Sequence, residues 1–247
     1  MTSNHLKNMK ILAIIPARSG SKGIKNKNIK IFCKKPLLYW IGKEAKQSRL
    51  INKIIVSTDS LKIKRICQKY NLDVPFLRPK KISKDNSKSV ELIFHAINFF
   101  NKRNQFFDYV VLLEPTSPFT TAKDIDNAIE QLYKKRNQAD AIVGVSENIN
   151  RHPIYNFKIK QNGTIKPYKN KFSTVRRQEL EKLYFLDGSL YISKIDKLIK
   201  DKTFYHNRTL GFITKKWKSI EVDDIADFII AESIFKNKRK LEKIEKN

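Results

Sequence analysis

The stretch Ile11–Asn28, ILAIIPARSGSKGIKNKN, decides how the rest of the chain is read. Ile11 to Ile15 is a short β-branched apolar run, which fits a strand buried on both faces of a sheet. Pro16 ends it. The loop that follows places Gly20 and Gly23 among Arg18, Ser19, Ser21, Lys22, Lys25 and Lys27. Small residues let backbone N–H groups turn toward a bound anion, and the cations supply the opposite charge that a polyphosphate needs. On spacing alone, two readings stay open: a nucleotide triphosphate loop, or a basic surface loop after a core strand. Neither a Walker A motif nor G-x-G-x-x-G fits the glycine spacing.

Outward from this loop, strand-like and helix-like segments alternate. Pro36 opens a helical pattern to about Gln47, and Lys53 to Ser57 reads as a second buried strand ending in Ser57-Thr58-Asp59. Ser60 is placed to cap a helix reaching about Tyr70. Val74 to Leu77 reads as a short strand before Arg78-Pro79, and Ser89 to about Asn101 as a helix. Tyr109 to Leu113 is an apolar strand running into Glu114-Pro115-Thr116-Ser117-Pro118. A helix over Ala122–Lys135 and a strand over Ala141–Val145 follow. This rhythm predicts a Rossmann-like α/β fold, a mainly parallel sheet with helices on both faces.

Between Ser146 and Tyr184 the pattern changes to alternating aromatics and an Asn162-Gly163 turn, the chemistry of a hairpin. Strands at Ser189–Ser193 and Thr209–Thr214 resume the core, with a short helix over Lys194–Lys200 between them. Glu221-Val222-Asp223-Asp224 precedes a last helix over about Ile225–Phe235 with a frayed basic end. The organisation expected is therefore one α/β domain over 1–145 and 185–247, with an inserted segment over 146–184.

Composition narrows the class. The chain has 247 residues, 40% of them hydrophobic, so it can bury a full core. No apolar run approaches the length of a membrane span. The first ten residues lack an apolar signal core, and Cys33 and Cys67 alone form no disulfide framework, so a reducing cytoplasmic setting is expected. Formal net charge is +27, yet the lysines are interleaved with Ile and Asn along the whole chain instead of forming a stripe. That distribution argues against specific nucleic-acid binding and favours anionic small molecules.

The ordered motifs IIPARSGSKGIKNKN, STD, FLRP, EPTSPF, RRQEL and YFLDGSLYI carry a resemblance. Over about Lys10 to Glu232 the chain resembles the acylneuraminate cytidylyltransferases, which include CMP-sialic acid synthetases and relatives acting on legionaminic and pseudaminic acids. The enzymes that activate the eight-carbon sugar Kdo are less similar in the first loop. The resemblance implies transfer of CMP from CTP to a nine-carbon α-keto acid sugar, with Mg²⁺ as cofactor and pyrophosphate as the second product. It implies that Arg18, Ser21, Lys22, Lys27 and Asn28 hold the triphosphate, with Lys22 offsetting charge on the leaving group. Arg78, Ser87 and Ser89 match positions that read cytosine. Glu221 and Asp223 match the metal carboxylates, and alternation on a strand end would put both on one side. One of Asp223 and Asp224 is expected to cap the last helix. Arg18, Lys22 and Asp223 are thus the implied catalytic residues.

On the sugar side the resemblance points to Glu114, Arg177, Asp187 and Tyr191, and it implies a homodimer built through the 146–184 segment. Four positions depart from the family pattern: Glu114 stands for the usual glutamine, Thr120 for arginine, Asp187 for asparagine and Glu221 for aspartate. Three of the four lie on the sugar side, which predicts an altered sugar choice with retained use of CTP. Two other readings are a nucleotidyltransferase for another acidic sugar such as Kdo, and a non-catalytic basic nucleic-acid-binding relative.

Overall fold

The computed structural model describes residues 8–21, 23–148, 152–168 and 176–244, with the side chain of Arg177 outside that description. Its centre is a six-stranded sheet in the order β10-β6-β9-β5-β1-β4, formed by β1 (Ile11–Pro16), β4 (Lys53–Ser57), β5 (Tyr109–Leu112), β6 (Ala141–Glu147), β9 (Tyr184–Lys194) and β10 (Thr209–Ile213). β1 pairs parallel with β4 and β5, and β10 pairs parallel with β6. β9 runs antiparallel between β5 and β6, so the sheet is mixed but mostly parallel, as the alternating pattern predicts. The small hairpin β2–β3 (Ile31–Phe32 and Lys35–Pro36) lies apart from it.

Alternation along β1 explains the layers. Ile11, Ala13 and Ile15 pack with Leu38, Ile41 and Ala45 of α1 (Leu37–Gln47), Ile63 and Cys67 of α2 (Leu61–Lys69), and Ile125 and Ile129 of α4 (Ala122–Lys134). Leu12 and Ile14 point the other way, onto Leu92, Ile93 and Ala96 of α3 (Ser89–Asn101) and Leu198 of α5 (Ile195–Asp201). A strand covered on both faces has no polar side to show, which is why its sequence is unbroken Ile, Leu and Ala. A third cluster joins Ile24 of the basic loop, Phe32, Phe119 and Val222 to Phe228 and Ala231 of α6 (Ile225–Ile244). It pins the chain's first loop to its last helix.

Several local expectations need correction. Val74–Leu77 forms no strand; Leu77 makes a single parallel bridge to Thr58, because Pro75 has no N–H to extend a ladder. Glu221–Asp223 lies in no ladder, and Val222 instead donates one backbone bond to Thr116 at 2.8 Å. The last helix does not end near Phe235. It continues to Ile244, since the lysine-rich segment contains no Gly or Pro and lysine is a good helix former. Ser60 caps α2 as expected, accepting from the Ile63 N–H at 3.3 Å. In the 146–184 region, β7 (Phe157–Ile159) and β8 (Ile165–Pro167) pair around Gly163, whose φ of +79° suits glycine.

At the opposite edge from the strand ends that carry the motifs, Asp140 ties three strands. It receives Arg208 Nε at 2.5 Å and Lys194 Nζ at 2.7 Å. The Arg208 hydrogen bond, with Lys194 adding to it, holds the carboxyl down to about 2, below its ordinary value near 3.9. A depressed carboxylate stabilises the fold above the unfolded pKa and loses that contribution as pH falls through the folded one. Asp140→Asn should therefore lower unfolding free energy by about 1 kcal/mol at neutral pH, a modest figure because Arg208 is half exposed and screened by water. Urea denaturation should show the gap from wild type closing between about pH 4 and pH 2.

Candidate active site

In a parallel sheet, ligands bind beyond the carboxyl ends of the strands. Here β1 delivers the Ala17–Asn28 loop there, β4 delivers Thr58-Asp59, and β5 delivers Glu114 to Ser117. Because β9 is antiparallel, its first residues, including Asp187 and Gly188, reach the same edge. At this edge the basic loop, Arg78, the Ile82–Leu92 stretch, Glu114, Thr116, Glu221 and Asp223 enclose a cleft of about 580 Å³. Its walls hold Arg18, Ser21, Lys27, Asn28, Arg78, Ser87, Ser89, Glu114, Glu221 and Asp223, residues spread over more than two hundred positions of sequence. Lys22 lies outside the described residues. Arg177 opens a short 3₁₀ turn, Arg177–Glu179, and its side chain is likewise outside them.

The basic loop is held from several directions. Ser19 donates to Asp59 through its backbone N–H and its Oγ, both at 2.8 Å. Asn28 is buried and its Nδ2 donates to the Arg18 carbonyl at 3.1 Å, closing the loop on itself. Arg18 pairs with Asp85 across the cleft. Lys27 reaches the last loop, donating to the Val222 carbonyl at 2.8 Å and to Asp223 Oδ1 at 3.0 Å. At Gly23 the Asp223 carbonyl passes so close that a Cβ would lie 2.2 Å from its oxygen. The first and last loops thus interlock.

Arg78 is almost fully buried, and its Nε donates to Ser83 Oγ at 3.0 Å. Burial pulls its pKa below the usual guanidinium value, while Asp59 opposes that shift. Ser87 and Ser89 flank the start of α3, where Ser87 Oγ accepts from the Lys84 N–H at 3.1 Å.

The carboxylates divide their duties. Asp224 takes the helix cap: its Oδ1 accepts from the Asp227 N–H at 2.9 Å, and Asp227 Oδ2 accepts from the Asp224 N–H at 3.2 Å. Asp223 is left facing the cleft with its side chain 70% exposed. Glu221 accepts from Thr116 Oγ1 at 3.2 Å; burial and then Asp223 raise its pKa. The Ser117 N–H donates to the Glu114 backbone carbonyl at 3.1 Å, but the Glu114 carboxylate accepts no hydrogen bond from a described residue. Burial first, then Glu221, push it up to about 7 against Lys27 and Arg78. Among the described residues no three His, Cys, Asp or Glu side chains form a metal cage.

Two implied sugar residues part company. Asp187 does not line the cleft: it is buried, accepts from the Ser189 N–H at 3.0 Å and from Ser146 Oγ at 3.3 Å, and also bonds Thr214. Thr120 is buried too, donating to the Ser189 carbonyl at 3.1 Å. Tyr191 lines a neighbouring cavity of about 380 Å³, shared with Glu114, Ser87 and Ser89. Lys202, Thr203, Phe204 and Tyr205 complete that cavity, with the Phe204 ring 5.5 Å from Tyr191. Sequence reasoning missed this loop; its one signal was two adjacent aromatics in an otherwise polar stretch, DKTFYHNR.

The family model described as Cytidylyltransferase matches residues 12–245. The chain belongs to the cytidylyltransferase family. It is 33% identical to the N-acylneuraminate cytidylyltransferase of Escherichia coli O18:K1:H7 over 235 residues, 94% of this chain and 54% of that protein. It is equally 33% identical over 228 residues to the CMP-N,N'-diacetyllegionaminic acid synthase of Legionella pneumophila, 92% of this chain and 96% of that one. The chain therefore spans about half the length of the first relative and nearly all of the second. Among solved structures, a CMP:2-keto-3-deoxy-manno-octonic acid synthetase complexed with CTP superposes with a TM-score of 0.67 at 12% identity, covering 93% of this chain and 99% of that one. That likeness supports the fold. No helix among the described residues is long and apolar enough to cross a membrane.

Proposed function

We propose that the chain transfers CMP from CTP to an acidic nine-carbon α-keto sugar. The observation that carries this reading is one cleft with a basic loop on one wall, two carboxylates on the other, and Glu114 at its opening into an aromatic cavity. The sugar's anomeric hydroxyl forms the new O–P bond at the α-phosphorus as the bond to the β-phosphate breaks, and pyrophosphate departs. Transfers of this kind depend on positioning and charge neutralisation. Arg18, Ser21, Lys27 and Asn28 surround the triphosphate, Lys22 adds charge toward the leaving group, and Arg78 with Ser87 and Ser89 holds the base. No histidine lines the cleft among the described residues, and in this reading the hydroxyl proton leaves for solvent. Glu221 and Asp223 offer oxygen donors only and repel one another, a set that suits a hard divalent cation such as Mg²⁺. When bound, such an ion neutralises charge on the phosphates.

The acceptor occupies the cavity beyond Glu114, beside Tyr191, with Arg177 toward its carboxylate. Residues 146–184 form a dimerisation segment inserted in the α/β domain of 1–145 and 185–247. Exposed Ile159, Ile165 and Tyr168 on and beside the β7–β8 hairpin support that reading. The setting is cytoplasmic, matching two free thiols.

The test is pyrophosphate release with each of the four nucleoside triphosphates, a panel of ulosonic acids and Mg²⁺. Release that needs CTP, a nine-carbon acid and metal together supports the proposal; metal-independent release, or none alongside salt-sensitive duplex binding, refutes it. Above pH 7, where Glu114 is mostly ionised and only accepts, a glutamine would both donate and accept. Glu114→Gln should therefore raise kcat/KM for N-acetylneuraminate, relative to the preferred acid, by about tenfold, while KM for CTP stays within about twofold.

A further inference from the structure

Asp59 lines neither cavity, yet three parts of the site meet at it. It lies two residues beyond the end of β4, next to Thr58, which accepts the Arg78 N–H at 2.7 Å and bridges Leu77. Its two carboxylate oxygens take the Ser19 N–H and Ser19 Oγ separately, each at 2.8 Å. The helix cap expected in this segment belongs to Ser60, so no local structural duty explains the carboxylate. Its charge also bears on Arg78, favouring the protonated guanidinium that burial disfavours.

We infer that Asp59 is a positioning residue that fixes the basic loop and Arg78 in one register, so that the triphosphate and the base are gripped together. The inference rests on the nucleotide reading above. Ser19 is exposed and Gly20 lies next to it; the loop's other bonds run through Arg18, Lys27 and Asn28, and Asp59 anchors the Ser19–Gly20 tip. A carboxylate serves better than an amide here, because it can accept from both the N–H and the hydroxyl of Ser19 at charge-assisted strength.

Three variants test this: Asp59→Asn, Ser19→Ala and the pair. Asp59→Asn should raise KM and the calorimetric Kd for CTP about tenfold, with kcat within about threefold and the acceptor KM unchanged. Ser19→Ala should do the same more weakly, and the double variant should be no worse than Asp59→Asn, because both remove one interaction. Ser19 is exposed, so its variant keeps the inference testable should Asp59→Asn fold poorly. Unchanged CTP affinity in both single variants, or parallel losses in kcat, both KM values and melting temperature, would overturn it. Should wild type itself fail to bind CTP, the proposed function falls first; should wild type bind and the variants match it, only this inference falls.

Discussion

Asp223→Asn should slow pyrophosphate release by at least about 1000-fold while moving the melting temperature by no more than about 2 °C. The fold tolerates the change for two reasons. The side chain is 70% exposed, and the largely buried Lys27 keeps its bond to the Val222 carbonyl when the carboxylate is neutralised. The cap of α6 belongs to Asp224, so the helix start is untouched. On the proposed function chemistry does not tolerate it, because an amide contributes no charge toward the cation that Asp223 and Glu221 would hold. Asp224→Ala should show the opposite profile, losing about 1 kcal/mol of stability through the cap with most activity retained. Circular dichroism melts and a coupled pyrophosphate assay separate the two. Mn²⁺ titration by electron paramagnetic resonance should show weaker binding in Asp223→Asn alone; undiminished turnover there would remove Asp223 from the metal site.

Gly23→Ala should be the more damaging glycine substitution, costing about 1–3 kcal/mol in urea denaturation and about 100-fold in kcat/KM. The cause is space, not backbone freedom: Gly23 does not adopt a left-handed φ. An added methyl would meet the Asp223 carbonyl oxygen at 2.2 Å, and that atom belongs to main chain packed through Val222 into the α6 cluster. Relief therefore has to come from pushing the two loops apart, which separates the phosphate-binding wall from Glu221 and Asp223. Gly20→Ala is the control. Its methyl would meet only the tip of Arg18 at 3.9 Å, so turnover and stability should stay near wild type. Equal effects at the two glycines would contradict this account.

The two glycines also show where sequence reading stops. Read along the chain, Gly20 and Gly23 are equivalent small residues in a basic loop, and only a contact 200 positions away distinguishes them. The same holds for the acidic pairs. A run reading Glu-Val-Asp-Asp leaves open whether Asp223 or Asp224 caps the helix, which the Asp224–Asp227 bonds decide. Asp187 and Thr120 appear in sequence as sugar-side substitutions, but their hydrogen bonds run into the sheet interior.

By itself the sequence determined what periodicity and local chemistry can encode: buried strands, amphipathic helices, the Ser60 cap, the hairpin turn and a basic glycine loop placed after the first strand. These follow from residues within a few positions of one another, where burial, capping and turn geometry act. Tertiary structure alone decided the antiparallel course of β9, the Phe204–Tyr205 wall of the second cavity, and which carboxylates face the cleft. Those depend on segments far apart in the chain meeting in space, and no local signal records the partner. The loop over Ile11–Asn28 belongs to both accounts: its sequence gives a basic glycine loop after a buried strand, and its contacts with Asp59 and Asp223 give that loop its shape.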